Sequence, residues 1–367
     1  MKMTTAITVS VAQINVPQYV AALKAVVSCL DKDSPRADAS CVRMTIDKGQ
    51  MQLTGNHLGS HSLVLKLPVQ ADDVDILVPG GPLLNLTCRM GTPTSLVIDI
   101  EEDKIVYRLG AYGTNSTPIY SGSPATPVVL ESEGILESNL IAEAMRLITD
   151  YKSKENHIRL DITPDGCSLT RRVAASAYVQ VSWADSPIAS WSANLTSRQL
   201  QLVSYLGSPL TLSVGRAPRR LVLDSARGSL TILTGKEADK IPHFDRAPDA
   251  EFRASTTVDT RLLLGAINWQ STGASVGQAI QLHFTTNNLL VQGAGEPASI
   301  PCTVTGEASI NLRACDLITV LRGEGPIQLI VRAFIIGDKT ISILLLEKEV
   351  NNLSTRALLT ENVIVVR

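Results

Sequence analysis

The sequence predicts an α+β fold of three tandem domains, and two observations carry that prediction. One pattern recurs three times, roughly 120 residues apart, and self-similarity at a fixed period defines an architecture before any single residue is interpreted. It reads Ile76-Leu77-Val78 … Leu83-Leu84-Asn85-Leu86 in the first third, Trp191-Ser192-Ala193 … Leu200-Gln201-Leu202-Val203 in the second and Ala308-Ser309-Ile310 … Leu317-Ile318-Thr319-Val320 in the last. Each copy has the form of a strand end running into a helix, and each is followed by a strand, Ser95–Ile100, Pro209–Val214 or Pro326–Arg332. The second observation is the order of hydrophobic periods, which gives β-α-β-β-β-α-β-β plus one strand in each third. Two helices against an antiparallel sheet form an α+β layer. Three such units in a row make an arc with helices on one face and sheets on the other.

The elements follow in order. Ile7–Ile14 alternates as a strand. Pro17 suits the first turn of a helix, and Tyr19, Leu23, Val26, Val27 and Leu30 recur at helical spacing. Cys41–Ile46 and Met51–Thr54 make a hairpin around Asp47-Lys48-Gly49, and His61–Val69 is the next strand. Residues 79–82, Pro-Gly-Gly-Pro, start the second helix, and strands Leu96–Ile100 and Lys104–Leu109 flank the Glu101–Asp103 turn. The run Ser-Gly-Ser-Pro-Ala-Thr-Pro at 121–127 is the linker candidate.

The second unit repeats the order. It has a helix over about Leu136–Tyr151 and a hairpin His157–Ile162/Cys167–Val173 around Pro164-Asp165-Gly166. Strand Tyr178–Trp183, helix Ser197–Leu206 and strands Leu210–Val214, Leu221–Asp224 and Leu230–Leu233 complete it. Ile241–Asp249 is the second junction. The third unit has a helix near Val258–Trp269, a hairpin Ile280–Thr285/Leu289–Val291, strand Ser299–Val304 and helix Arg313–Leu321. Strands Ile327–Val331, Ile341–Leu346 and a closing Val363–Val366 end the chain. The expected domains are therefore residues 1–123, 124–246 and 247–367.

Composition narrows the function. The 367 residues are 44% hydrophobic, 19% charged and only 4% aromatic, so the cores must be built from Leu, Ile and Val. The net charge of −2 excludes a uniformly basic nucleic-acid binder, but not one whose charge is segregated. Six cysteines without a CxxC pair read as free core thiols of a reducing compartment. Residues 1–5 lack the long apolar stretch of a secretory signal. No apolar run reaches the ~18 residues of a membrane span. A cytoplasmic protein with no membrane partner is expected, and the Asn-x-Ser/Thr matches at Asn85, Asn115, Asn194 and Asn352 are then chance.

No catalytic constellation is expected. Gly273-Ala274-Ser275-Val276-Gly277 matches GxSxG, but a nucleophile elbow needs a strand before it and a helix after it, and here the order is reversed. His57 and His61 are four apart without the Glu of HExxH and with Gly59 between them, which suits a strand turn better than a zinc helix. Gly235-Lys236 lacks Walker spacing. No metal site and no cofactor are expected.

Three tandem domains of this element order resemble the bacterial sliding clamp, the beta subunit of DNA polymerase III, across essentially the whole chain. Local stretches add to the resemblance. Gly49-Gln50-Met51-Gln52-Leu53-Thr54-Gly55-Asn56 resembles the family's first-domain hairpin strand, Ile241-Pro242-His243-Phe244-Asp245-Arg246 its segment between the second and third domains, and Ile310-Asn311-Leu312 the segment before its last helix. The resemblance implies half of a six-domain ring, closed head to tail by a homodimer around duplex DNA, with helices lining the hole. It implies a processivity factor without enzymatic activity. DNA polymerase and the clamp loader would insert short linear motifs into a pocket where the second and third domains meet.

Such a ring needs basic helices that touch phosphates without reading bases. The six helix windows (16–32, 80–90, 137–154, 195–206, 257–270 and 308–322) hold ten basic and six acidic residues, a net of +4, against −6 for the rest of the chain. The DNA candidates are Lys24, Lys32, Arg89, Arg146, Lys152, Lys154, Arg198, Arg261 and Arg313, with Arg322 the tenth basic residue. Basic residues at the end of a helix, such as Lys152 and Lys154, are equally favoured by its dipole.

By the same resemblance the motif pocket falls on Val173, Ala174, Ser176, Val179, Pro242, Ala247, Ile364 and Val366. Here the sequence departs from the family. The Gly and the His-Arg pair of the usual pocket turn are replaced by Ala174-Ala175-Ser176-Ala177, and the chain ends Ile364-Val365-Val366-Arg367 without methionine or proline. Stiffer β-branched residues predict a narrower pocket with altered partner preference. The apolar strands around Val106 and Ile343 are the expected dimer edges. The alternative from another class is a clamp-like regulatory or structural protein that does not encircle DNA.

Overall fold

The structure is a computed structural model that describes residues 7–10, 16–31, 33–34, 36–69, 71, 73–89, 96–101, 103–108, 113–120, 135–185, 190–216, 218–235, 238, 247–271, 278–293, 295–336 and 339–361. The linker at 121–127, Ser275, the segment 241–246 and the expected strand Val363–Val366 lie outside the described residues. The chain divides into two compact units, residues 1–142 with 201–236, and residues 143–200 with 237–367.

The first unit holds an eight-stranded sheet in the order Val74–Pro79, Cys41–Asp47, Gln50–His57, His61–Pro68, Gly228–Leu233, Arg219–Ser225, Leu210–Arg216, Ile135–Ser138. A four-stranded sheet runs Ile7–Ser10, Val97–Ile100, Lys104–Arg108, Thr114–Pro118. Alternation builds the larger sheet: Met44, Ile46, Met51, Leu53, Leu63 and Leu65 are buried while their neighbours are not. Helix α1 (Val16–Ser28) lays Tyr19, Leu23, Val26 and Val27 on this layer, and α2 (Gly80–Arg89) packs beside it. Gly55 is required there, because a Cβ would run into the Val26 carbonyl of α1. Helices α3 (Leu140–Asp150) and α4 (Ser197–Val203) lie where the chain passes from one unit to the other.

The second unit has a nine-stranded sheet in the order Trp191–Thr196, His157–Thr163, Gly166–Ala174, Ala177–Trp183, Leu353–Thr360, Lys339–Val350, Pro326–Ile336, Glu251–Asp259, Val304–Gly306. Its four-stranded sheet runs Ala298–Pro301, Asn288–Gln292, Ala279–Thr285, Ala308–Arg313. Helices α5 (Thr260–Gln270) and α6 (Ala314–Val320) belong to this unit. Asp259 caps α5 by accepting from the backbone N–H groups of Arg261 and Leu262. The buried Arg171 guanidinium donates to the last carbonyls of α3, those of Ile148 and Thr149, and so ties the helix end to the sheet. Together these make an α+β protein with antiparallel pairing at every described strand pair.

One rule recurs in both units. The strand after a hairpin pairs with a strand from much later in the chain: His61–Pro68 with Gly228–Leu233 in the first unit, and Ala177–Trp183 with Leu353–Thr360 in the second. Gly228 allows the first of these joints, since its φ is +150° and a Cβ would strike the Val64 carbonyl. Two further strands end their sheets: Ala298–Pro301, the strand after the hairpin Ala279–Thr285/Asn288–Gln292, and Thr114–Pro118. The latter is followed by a single bridge from Tyr120 to Leu77.

Several expectations are corrected. Val106 and Ile343 are not on edge strands. Lys104–Arg108 runs between Val97–Ile100 and Thr114–Pro118, and Lys339–Val350 between Pro326–Ile336 and Leu353–Thr360, with Ile343 fully buried. Apolar strands are interior for the physical reason that both faces and both edges are covered. Two strands that do end their sheets, Thr114–Pro118 and Ala298–Pro301, are short and close on Pro118 and Pro301, a usual protection of open edges. Strands Ile135–Ser138 and Glu251–Asp259 precede α3 and α5 where the sequence suggested helix from about 136 and 258. Leu353–Thr360 is a strand where none was expected. Cys29, Cys41 and Cys167 are buried free thiols, whereas Cys302 is half-buried and Cys315 is more exposed.

Candidate partner-docking site

On one face of the nine-stranded sheet, cross-strand register builds an apolar row. Arg172 lies opposite Tyr178, Tyr178 opposite Leu358, Leu358 opposite Leu345 and Leu345 opposite Ile330. Directly opposed residues of antiparallel strands share a face. Ile343 and Phe334 extend this row along their strands. The short 3-10 turn Ala247–Asp249, with Ala250, covers part of it, so that Ala247, Ala250, Ile343, Leu345 and Leu358 are buried while Tyr178, Ile330 and Phe334 pack against them half-buried. Arg332 Nη1 donates to the Ala250 carbonyl at 3.0 Å and holds that turn in place.

The hairpin turn at the end of the row is pinned from several sides. The Arg172 guanidinium donates to the carbonyls of Ala174 at 3.3 Å and Ala175 at 3.0 Å, meets Glu155 at 3.0 Å, and stands 5.8 Å from the Tyr178 ring centre. Ser153 Oγ donates to the Arg172 carbonyl at 2.6 Å. The Thr360 N–H donates to the Ser176 carbonyl at 2.9 Å, and Ser176 Oγ donates to Asp316 Oδ2 at 2.5 Å. An apolar floor, an aromatic tip and a cationic rim suit recognition of inserted apolar side chains. Among the described residues no group of three or more His, Cys, Asp or Glu could hold a metal ion. No described helix is long and apolar enough to cross a membrane.

Ala247 belongs to this cluster, while Ala174 and Ser176 lie in and beside the hairpin turn at its end. Val179 is fully buried on the opposite face, opposite Arg171 and Ala357. Val173 falls in the bulge between Arg172 and Ala174 and is also buried. Both are buried on strands that α6 packs against, and neither is among the residues of the apolar row. Pro242, Ile364 and Val366 lie outside the described residues. Sequence reasoning missed Arg172, Tyr178, Ile330, Phe334 and Leu358, and placed Ile343 at an interface instead of under this patch. The period-two rule carried the signal: fixing parity from the hairpin puts Tyr178, not Val179, on the face shared with Arg172.

The basic candidates that are described sit on helices or just past their ends. Lys24 is exposed on α1, Arg198 on α4, and Arg89 is the last residue of α2. Lys152 and Lys154 are exposed in the turn after α3, which ends at Asp150, and Arg313 immediately precedes α6. Arg146 pairs with Asp150 at 3.3 Å and approaches Glu143 at 4.0 Å, and Arg261 pairs with Glu324, so part of their charge is answered within the chain. Lys32 lies outside the described residues. Tyr151, buried beneath the basic turn with Arg322 5.7 Å from its ring, has its phenol pushed up to about 12 by burial. His57 and His61 close a hairpin with their rings stacked 5.1 Å apart, a strand turn and not a helical zinc motif.

The chain matches solved structures along nearly its whole length. The Pseudomonas aeruginosa sliding clamp (DNA polymerase III subunit beta) bound to griselimycin is 12% identical with a TM-score of 0.72, over 98% of this chain and 100% of that one. The Thermotoga maritima beta subunit is 10% identical with a TM-score of 0.74, over the same shares. The Helicobacter pylori beta clamp bound to a DNA ligase peptide is 15% identical with a TM-score of 0.72, again over 98% and 100%. No protein-family profile and no curated protein sequence matches the chain. At such identities the likeness is one of fold, and the chain has the fold of the bacterial sliding clamp, the beta subunit of DNA polymerase III, in a widely divergent sequence.

Proposed function

We propose that the chain is a DNA sliding clamp: two copies, each of three domains, close head to tail around duplex DNA and tether DNA polymerase and other replication or repair proteins, with no catalytic activity of their own. The observation that carries this reading is the full-length match to clamp structures. The joint rule of the fold supports ring closure. If Ala298–Pro301 paired with Thr114–Pro118 of a second copy, the third joint would follow the same rule as the two within the chain. Helix α5 packs against Ala298–Pro301 and presents Leu262 and Trp269, 60% and 76% exposed and seven residues apart, on one helical face beside that edge. Apolar surface of this kind beside an open strand suits a second copy.

Lys24, Lys152, Lys154, Arg198 and Arg313 would supply mobile, sequence-independent phosphate contacts. The Tyr178 patch would receive the short motifs of partner proteins, as the Helicobacter pylori clamp receives a DNA ligase peptide. The alternative, a clamp-like protein that does not encircle DNA, draws on Pro118 and Pro301, because a proline cannot donate to a new ladder. The two readings separate on DNA topology. A clamp loaded onto nicked circular DNA is retained until the circle is cut, whereas a protein that never encircles DNA is not retained on circles at all.

A further inference from the structure

The Ala174–Ala177 turn is joined to a helix of the third repeat by one side-chain hydrogen bond. Asp316 lies in the first turn of α6 and is 6% exposed. A carboxylate so deep requires a donor, and Ser176 Oγ supplies one at 2.5 Å. Helix α6 also packs against both strands of the hairpin and against Leu353–Thr360, so the bond ties the turn to the body that carries the patch. The other joint offers an internal comparison. There the Leu233 N–H donates to the Ser60 carbonyl at 2.7 Å, as the Thr360 N–H does to Ser176, which makes Ser60 the counterpart of Ser176. Ser60 Oγ lies 2.9 Å from His61 Nδ1, its neighbour in the same turn. The two turns share their backbone lock and differ in the partner of the serine hydroxyl. The serine bonded to α6 is the one at the end of the apolar row.

We propose that Asp316 is a positioning residue that, through Ser176, fixes the turn against the patch and so selects which apolar side chain a partner peptide can insert beside Tyr178. The proposal rests on the docking role given to the patch above. Tyr178 lies two residues beyond Ser176, so a turn held tightly keeps the ring close over Leu358 and Leu345 and leaves room for a small aliphatic group. A turn released from α6 lets the ring move outward, and the site then admits larger groups at lower selectivity.

The test uses the full chain and two synthetic peptides of the clamp-docking type that differ at one apolar position, leucine in one and tryptophan in the other. Wild type is expected to bind the leucine peptide at least about tenfold more tightly, and Asp316→Ala to bring the ratio to about threefold or less. Amide exchange at Ala175–Ala177 should rise in the same variant. Ser176→Ala removes the bond from the turn side and should reproduce both effects, which keeps the test valid if the helix variant fails to fold. Ser176→Thr retains the hydroxyl and should restore the wild-type ratio. If wild type binds both peptides and neither deletion alters the ratio, the positioning role is wrong while the docking site stands. If wild type binds neither peptide, the docking role itself fails and this proposal with it.

Discussion

If two copies close a ring as proposed, truncating Trp269 should take it apart. Its side chain is 76% exposed on the outer face of α5, beside the sheet edge Ala298–Pro301. A tryptophan buries on the order of 150–250 Å², so roughly three quarters of that, about 110–190 Å², is available to a second copy. At ~25 cal/mol per Å² this amounts to about 3–5 kcal/mol for each interface. A closed two-chain ring has two identical interfaces, so the lower end already reaches about 6 kcal/mol, some four orders of magnitude in the dimer dissociation constant. Light scattering and sedimentation over a concentration series would read the change in Trp269→Ala. Fluorescence gives a second measure. Trp183 and Trp191 are 4% and 5% exposed, so Trp269 dominates any solvent-dependent shift, and emission should move to shorter wavelength as the wild type dimerises. A folded Trp269→Ala variant that dimerises with the wild-type constant would refute the placement of this helix face in the interface.

Other outcomes follow from the same structure. Replacing Lys152 and Lys154 with glutamine should leave the fold intact and reduce the slope of log affinity against log salt on duplex DNA by about two phosphate contacts, ~1.8 in the slope; an unchanged slope would take the turn after α3 off the DNA path. Gly228→Ala should destabilise the pairing of His61–Pro68 with Gly228–Leu233 by about 1–3 kcal/mol in denaturant titration, because a side chain is strained at its φ of +150° and meets the Val64 carbonyl; unaltered stability would mean that this joint yields freely. The Cys315 thiol is raised by burial and then by Asp316, so less of it is thiolate near pH 8, and alkylation should be slower than for an unhindered thiol. Asp316→Asn removes the neighbouring charge, lowers the thiol pKa and should accelerate alkylation; an equal rate would mean that Asp316 does not hold the thiol up. Tyr178→Ala should weaken docking of a leucine-bearing motif peptide by about tenfold or more without changing dimerisation, and an unchanged affinity would move the docking site elsewhere.

The element types were legible because hydrophobic period depends on local sequence. Tyr19, Leu23, Val26 and Val27 mark α1, and the turn Asp47-Lys48-Gly49 marks a hairpin whose Lys48 and Gly49 both take positive φ. Pairing was not legible in the same way. Whether Lys104–Arg108 or Thr114–Pro118 forms the edge depends on which strand lies next to it in space, and apolar content pointed to the interior strand. The strand Leu353–Thr360 was missed although it pairs with Ala177–Trp183 and Lys339–Val350, because Ser354, Thr355 and Arg356 interrupt its apolar run. The pocket residues expected from the sequence fall in and around the hairpin turn at the end of the apolar row. Their parity was wrong by one residue, since Val179 is apolar and Tyr178 only half so, and the face a residue occupies follows from register and not from its hydrophobicity. Asp316 lies 140 residues from Ser176 and carries no local signal of the bond between them.

The central claim is topological, and the most direct measurement is retention on DNA before and after its ends are opened. The protein is loaded onto nicked circular plasmid with a clamp loader, separated from free protein by gel filtration, and the plasmid is then cut once with a restriction enzyme. The account predicts that the protein travels with the circle and is released when the circle becomes linear, with Trp269→Ala never retained. Equal retention on circular and linear DNA, or none on either by a protein that is dimeric in solution, would contradict it.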